Sequence, residues 1–483
     1  MSPSRSKIDP AEDLASMDEP VSPLLDPRSG APLALPSIAR AVHWYDLAQL
    51  VALGEAGVID AATAAACLRI LRAADPDGGG DGPLAAEEHW HRGESLLVRE
   101  LGPEGGGMLD AGRSRHDLFG VVWRIQTREA LLAVLEALGS WREALLEAAN
   151  RGLHTVLPDF ARGEGQVTTV GHQLHGFAVA AERDHARLEA AFLSVNTSPA
   201  GAAAGVGTLF PIDRARLAAL LGFDGTAANT RDALHNDAMW EAAGATAILV
   251  ANLVGFADQL FTWHRLGFVD VADRSSSEGS PAPGRPAGSV LGELARLAHA
   301  RTGGRAHVNH PVEDWDEQLG GQRAAFWLLR VLASVVGDLE LHTSAMAEAA
   351  ATSWGHLADL GAILVRERGL SWRAAHRLVA AVARRAEERA VAPRGLTADL
   401  IEDCARDLLG RPVQVASDQI ERALDAAARV DRRAVLGGPS PLEMRAQITE
   451  ARSRLVDERR ELAVWRGRLV RVEPGLRDAD RDG

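Results

Sequence analysis

LFGVVWRIQTREALLAVLEALGSWREALLEAANRGLHTVL, residues 118–157, runs without a single proline. Proline removes a backbone donor and clashes with the preceding turn, so a stretch this long without one can form a single helix. Within it Leu118, Val121, Val122, Ile125, Leu131, Leu132, Val134, Leu135 and Leu138 recur at steps of three and four, which puts them on one face. Two further proline-free stretches, 212–280 and 312–392, share this texture, with Leu249, Val250, Leu253, Val254 and Phe256 in the first. Asn229 or Thr230 is expected to cap a helix running to about Trp263, a rod of roughly 50 Å. Rods of that length bury an apolar stripe only against similar rods, so a long central bundle is implied. Alternating Val/Ile/Thr runs and Asn-Gly hairpins are nearly absent. The fold class is mainly α.

The remaining composition fits that class. The chain has 483 residues, 46% hydrophobic and 24% charged, ordinary values for a globular protein with room for a large core. Aromatic residues make up only 5%, so an aliphatic core is expected. Lys+Arg 52 against Asp+Glu 66 leaves a formal charge of −14, the wrong sign for a nucleic-acid partner. The two cysteines, Cys67 and Cys404, lie far apart and in no metal-like spacing, which argues against a disulfide scaffold or a thiolate site. Residues 1–36 lack the apolar core of a secretory signal. The longest apolar stretch, Ala242 to Ala257, meets Asp258 short of a membrane span. A cytoplasmic protein without membrane or nucleic-acid partners is expected. Lys7 is the only lysine, so an arginine standing where related chains carry lysine says little about function.

Breaks in the pattern divide the chain into a flexible tail (1–36), an N-terminal helical domain (37–117), a central long-helix bundle (118–346) and a C-terminal helical domain with its tail (347–483). The Gly-rich loop at 78–82 interrupts the second part. A last helix, about Leu442 to Arg468, is laced with charge and expected to be exposed or tail-like.

Four polar segments stand out. Gly112-Arg113-Ser114-Arg115-His116-Asp117 clusters donors just before the first long helix, a plausible carboxylate site, although an ordinary cap with exposed arginines reads the same. RSSSEGSPAPGRPAGS, 274–289, is long enough to be a functional loop, and its composition also suits a linker. Residues 200–207 are small and allow close backbone approach, without the rest of a phosphate-binding motif. In Glu88-His89-Trp90-His91 the two histidines point apart on a helix and share a metal only on a strand. Neither they nor His307 and His310 have a convincing third ligand, so no metal is expected. No nucleophile elbow or Cys/His pair offers a hydrolase template.

Taken in order, these segments resemble the argininosuccinate lyase branch of the fumarase/aspartase superfamily, from about Ser37 to about Leu442. EEHWHRGESLLVRELGPEGGGMLDAGRSRHD, from Glu87, resembles the family stretch ending in GRSRND. VTTVGHQL (Val167 to Leu174), Asn196 with Pro199 and Gly201, and GTLFPIDR (Gly207 to Arg214) follow. LGFVDVADRSSSEGS (Leu266 to Ser280) leads into the position of the family's catalytic loop. HLADLGAILVRERGLSWRAAH (His356 to His376) and GGPSP (Gly437 to Pro441) resemble its C-terminal domain. The resemblance implies three helical domains, a homotetramer pooling its long helices into one core, active sites shared between subunits, and no cofactor. It also implies β-elimination of an amine from a small succinyl-type carboxylate, releasing fumarate. A loop serine acts as base, cationic and amide donors stabilise the carbanion, and an acid protonates the leaving nitrogen.

Residue by residue, Ser114 and Arg115 match the positions that hold the carboxylate of the fumarate half, and His116 replaces an asparagine there. Trp90 stands where the family has histidine. The family's Thr-His pair, part of its acid machinery, aligns with Phe160 and Ala161, neither of which transfers a proton. In the loop, normally GSSxMPxKxNP, counting from one side places Gly279 and from the other Ser280 at the catalytic serine. Ser280 is favoured, Ser277 is the fallback, and Arg285 is the cation that replaces the loop lysine. The pocket for the amine half aligns with Val308, Asn309, Glu313 and Asp316, the last reversing a lysine's charge. Gln166, Thr169 and His172 fall among the family's supporting substrate-site residues. The expectation is a divergent lyase, or one running in the addition direction, in a specialised pathway. Its alternatives are an inactive member serving as a binding or scaffold protein, and a plain argininosuccinate lyase.

Overall fold

The computed structural model describes residues 33–77, 85–159, 166–271 and 313–478. Three helices come first: α1 (Ile38–Glu55), α2 (Ala61–Ala73) and α3 (Ala85–Gly106). Ser37 and Asp60 cap α1 and α2 by accepting from Arg40 N and Thr63 N. α4 (Arg115–Arg151) leads into β1 (Val156–Asp159), β2 (Gln166–Thr169) and α5 (Val170–Val195). Next come β3 (Thr197–Ser198), α6 (Arg214–Leu220), β4 (Gly225–Thr226), α7 (Asp237–Arg265) and β5 (Val269–Val271). α8 (Glu313–Gly337), β6 (Leu339–Leu341) and α9 (Thr343–Thr352) close the bundle region. α10 (Leu357–Arg368), α11 (Trp372–Glu388), α12 (Ala398–Leu409), α13 (Ser417–Leu424), α14 (Ala426–Arg432), α15 (Pro441–Leu469) and α16 (Val472–Asp478) follow.

The mainly α expectation holds. Among the described residues the strands pair only as β1 with β2 and β5 with β6, both antiparallel, and β3 with β4, parallel. Each pair clips two helix ends together, and none is long enough to show an alternating pattern in the sequence.

α4 is the axis of the bundle. It packs against α5, α8, α15 and α1, and its Leu131, Leu132, Leu135 and Leu138 are fully buried. One apolar core runs from α1 through α9 and includes α15, while α10 to α13 enclose a second, smaller core around Leu364, Leu378, Val382 and Ile401.

Three expectations need correction. Neither Asn229 nor Thr230 caps the long helix, because both side chains are engaged elsewhere: Asn229 Oδ1 closes a local turn by accepting from Arg231 N (2.8 Å), and Thr230 Oγ1 donates to the distant Gly205 O (3.3 Å). The helix starts only at Asp237. That helix, α7, is long and apolar enough by composition to cross a membrane, with half of its most apolar window buried within the chain. It packs on α5 and α8 through Leu249, Leu253, Phe256 and Leu260. The last long helix, α15, is not tail-like. A narrow stripe of Met444, Ile448, Ala451, Leu455, Leu462, Trp465 and Leu469 is buried, Trp465 stacks on Phe192 with ring centres 4.5 Å apart, and the buried Arg142 of α4 pairs with Glu458. Charge outside that stripe dominates the composition and hides it.

Candidate active site

The polar start of α4 divides its residues into two groups. Ser114 is the N-cap: its Oγ accepts from Asp117 N (3.2 Å), and Asp117 Oδ2 accepts in return from Ser114 N (2.9 Å). The same atoms also hold the small-residue loop, since Ala203 N donates to Asp117 Oδ2 (2.9 Å) and Ala204 N to Ser114 Oγ (3.0 Å). Ala203 and Ala204 have φ of +48° and +56°, a region that disfavours side chains, and these two hydrogen bonds hold them there. Burial pushes the Asp117 carboxyl up, against the pull of its backbone donors.

Arg113 turns inward. Its Nη1 donates to Asp46 Oδ1 (2.7 Å), its Nε to Asp110 Oδ1 (2.9 Å), and its guanidinium lies 4.9 Å from the Tyr45 ring centre. Only 3% of its side chain is exposed, so it braces the turn. Arg115 and His116 are exposed. Arg115 lies 5.2 Å from the Phe119 ring centre, and Phe119 sits edge-on to Trp90 at 4.3 Å. A guanidinium steadied on an aromatic face, at a helix N-terminus, suits a carboxylate ligand.

The start of α5 is closed by comparison. The fully buried Thr169 caps the helix by accepting from His172 N (3.1 Å). His172 Nε2 faces the Gly437 carbonyl (3.1 Å), which only accepts, so Nε2 carries the proton and Nδ1 accepts from Thr168 Oγ1 (2.8 Å). Gly437 adopts φ of +76°, and its N–H donates to Glu443 Oε1 (3.0 Å). Gln166 is exposed at the edge of β2. One turn beyond His172, burial pushes His175 down.

These two clusters lie at opposite ends of one helix. Gly171 N donates to the O of Gly152 (3.0 Å), the residue that ends α4. The start of α5 therefore lies one whole α4 away from Ser114, 37 residues or roughly 55 Å at the helical rise. Within one chain Ser114 and Arg115, the carboxylate clamp, do not share a pocket with Gln166, Thr169 and His172. β5 lies at the α5-start end, because its partner β6 follows α8, whose Val336 O accepts from Arg151 at the end of α4 (3.3 Å).

Ser277, Ser280, Arg285, Val308 and Asn309 lie outside the described residues, as do Phe160 and Ala161. Glu313 opens α8, with its side chain and that of Asp316 also outside. Sequence reasoning missed Asp117 and Thr168. The Ser-x-x-Asp capping spacing is the available signal for the first; none marks the second, whose role depends on a carbonyl far along the chain.

A family model described as a lyase matches residues 95–282. Among curated proteins, the argininosuccinate lyase of Natronomonas pharaonis is 34% identical over 88% of this chain and 88% of its own length. That of Methanoculleus marisnigri is 32% identical over 87% and 88%. Among solved structures, an EDDS lyase in complex with formate superposes with a TM-score of 0.83 over 94% of each chain, at 27% identity. A fumarate lyase from Mesorhizobium sp. BNC1, at 17% identity and a TM-score of 0.66, shares the fold.

Proposed function

This chain belongs to the argininosuccinate lyase family, and from that premise we propose that it is a divergent carbon–nitrogen lyase acting on a small succinyl-type carboxylate. It eliminates an amine to release fumarate, or runs the reverse addition. The observation that carries this reading is the outward-facing Arg115 just after the Ser114 cap, an exposed cation at the position the family uses for a carboxylate. Elimination needs a base, and Ser280 (or Ser277) takes the proton from the carbon next to that carboxylate. The electron pair forms the alkene, the C–N bond breaks, and its pair leaves with nitrogen. Arg115, and Arg285 from the loop, offset the charge that builds on the carboxylate. His116 lies beside Arg115 to hydrogen-bond the same group, while Asn309 and Glu313 are assigned to the amine half.

The amine is not fixed by family membership. An EDDS lyase shares this fold with a TM-score of 0.83, so the architecture accommodates a substrate other than argininosuccinate. Phe160 and Ala161, in place of an acid pair, favour an amine that departs without strong protonation. A homotetramer with shared sites fits the separation of Arg115 from Gln166 along α4, since in a shared site a second copy brings its exposed Gln166 to the first copy's Arg115. It fits equally the outward face of α7, where Trp240 and Ile248 are 55% and 45% exposed and Gly244 and Gly255 face open space.

The test is ultraviolet detection of fumarate released from argininosuccinate and from a panel of N-substituted aspartates, with Ser280→Ala as control. Serine-dependent release identifies the amine and supports the assignment. No release from any member, with the tetramer intact, overturns it in favour of an inactive binding protein.

A further inference from the structure

The histidine-rich segment sits on α3. His91 and Glu94, three residues apart, share one face. The turn between α3 and α4 brings Asp110 against them, and one ligand atom from each of His91, Glu94 and Asp110 lies within 4.8 Å of the others. Asp110 is held there by Arg113, which bonds its Oδ1. Oδ2 has no partner among the described residues, and neither do the Glu94 carboxylate and the His91 ring.

The charge around them is unbalanced. Beneath the cluster Asp46 is 3% exposed and packs so closely on Gly93 that a Cβ there would come within 2.2 Å of its Oδ2. Arg113 is already bonded to both Asp46 and Asp110, and no ion pair to Glu94 is found among the described residues.

We propose that His91, Glu94 and Asp110 bind a divalent transition-metal ion of the zinc and cobalt class. One imidazole with two carboxylates favours these ions over magnesium or calcium, which prefer oxygen donors alone. Three protein donors leave a fourth tetrahedral position open. The ion supplies the missing positive charge and ties α3 to the turn that enters Ser114 and Arg115, so it is a brace next to the clamp and takes no part in the elimination.

The experiment titrates the full, chelator-treated protein with cobalt(II), followed by visible absorption, and with zinc(II), followed by calorimetry. One equivalent per chain is expected, with a rise in melting temperature and a loss of affinity of at least about tenfold in both His91→Ala and Glu94→Gln. His91 is exposed and Glu94 only half-buried, so both variants keep the fold, which circular dichroism checks. Absence of uptake by the wild type, or a smaller loss of affinity in either variant, overturns the proposal.

Discussion

Ser114 and Thr169 play the same local part, since each accepts a backbone N–H from three residues on and starts a long helix. Their surroundings differ. After Ser114 the next two side chains, Arg115 and His116, face outward with their donors free for a ligand. After Thr169 the polar groups turn inward, and both nitrogens of His172 are taken by Thr168 and Gly437. A cap motif therefore does not identify a site; what distinguishes the two is whether the groups it presents still have donors to give. The first arrangement suits recognition, and the second ties β2 to the turn before α15.

The contrast breaks most visibly at Arg115. Arg115→Ala should lower the rate of fumarate release by about 10²–10³ while leaving the melting temperature nearly unchanged, because the side chain is exposed. A stable but fully active variant would remove the clamp from the α4 start. Lowering the pH sharpens the comparison from the α5 side. Burial, then Arg142, pushes His185 down to about 4, below its unfolded value. Its contribution is thus intact above about pH 6.5 and is lost as the pH falls toward 4, up to about 3 kcal/mol. Denaturant unfolding at pH 7 and pH 4.5 should show that slope in the wild type and a shallower one in His185→Leu.

His172→Ala should cost about 1–3 kcal/mol of stability, leaving Thr168 and the Gly437 carbonyl without their partner, with the turnover rate of the folded enzyme little changed. A collapse of turnover with unchanged stability would place the α5 start in the chemistry and erase the distinction. The smallest effect is expected from Thr169→Ala, about 1 kcal/mol for a lost cap, read as a shift in unfolding midpoint.

Much of this architecture is legible in the sequence. Proline-free stretches with apolar steps of three and four reveal α4, α7 and the bundle, because a long helix writes its buried face into sequence many times over. α15 escapes that reading because its stripe is narrow and its other faces are charged. The start of α7 escapes it because Asn229 has two local uses, capping and turning, and only the fold selects one. At the clamp, the cluster of donors is visible in the sequence, but which arginine faces outward is not. Arg113 and Arg115 are alike in sequence, and Asp46, far upstream, decides between them. The His91 cluster is invisible for the same reason: Glu94 is one turn away, but Asp110 arrives only after Gly102, with φ of +74°, has broken α3.

The outward face of α7 has a consequence for what stability means in this molecule. Trp240 and Ile248 stand exposed on a helix that places only half of its most apolar window inside its own chain. If other copies cover that face, part of the folding free energy is supplied by association, and the melting temperature becomes a function of how much protein is in the tube. Dilution then acts as a denaturant, and one melting temperature quoted without a concentration describes the sample more than the sequence.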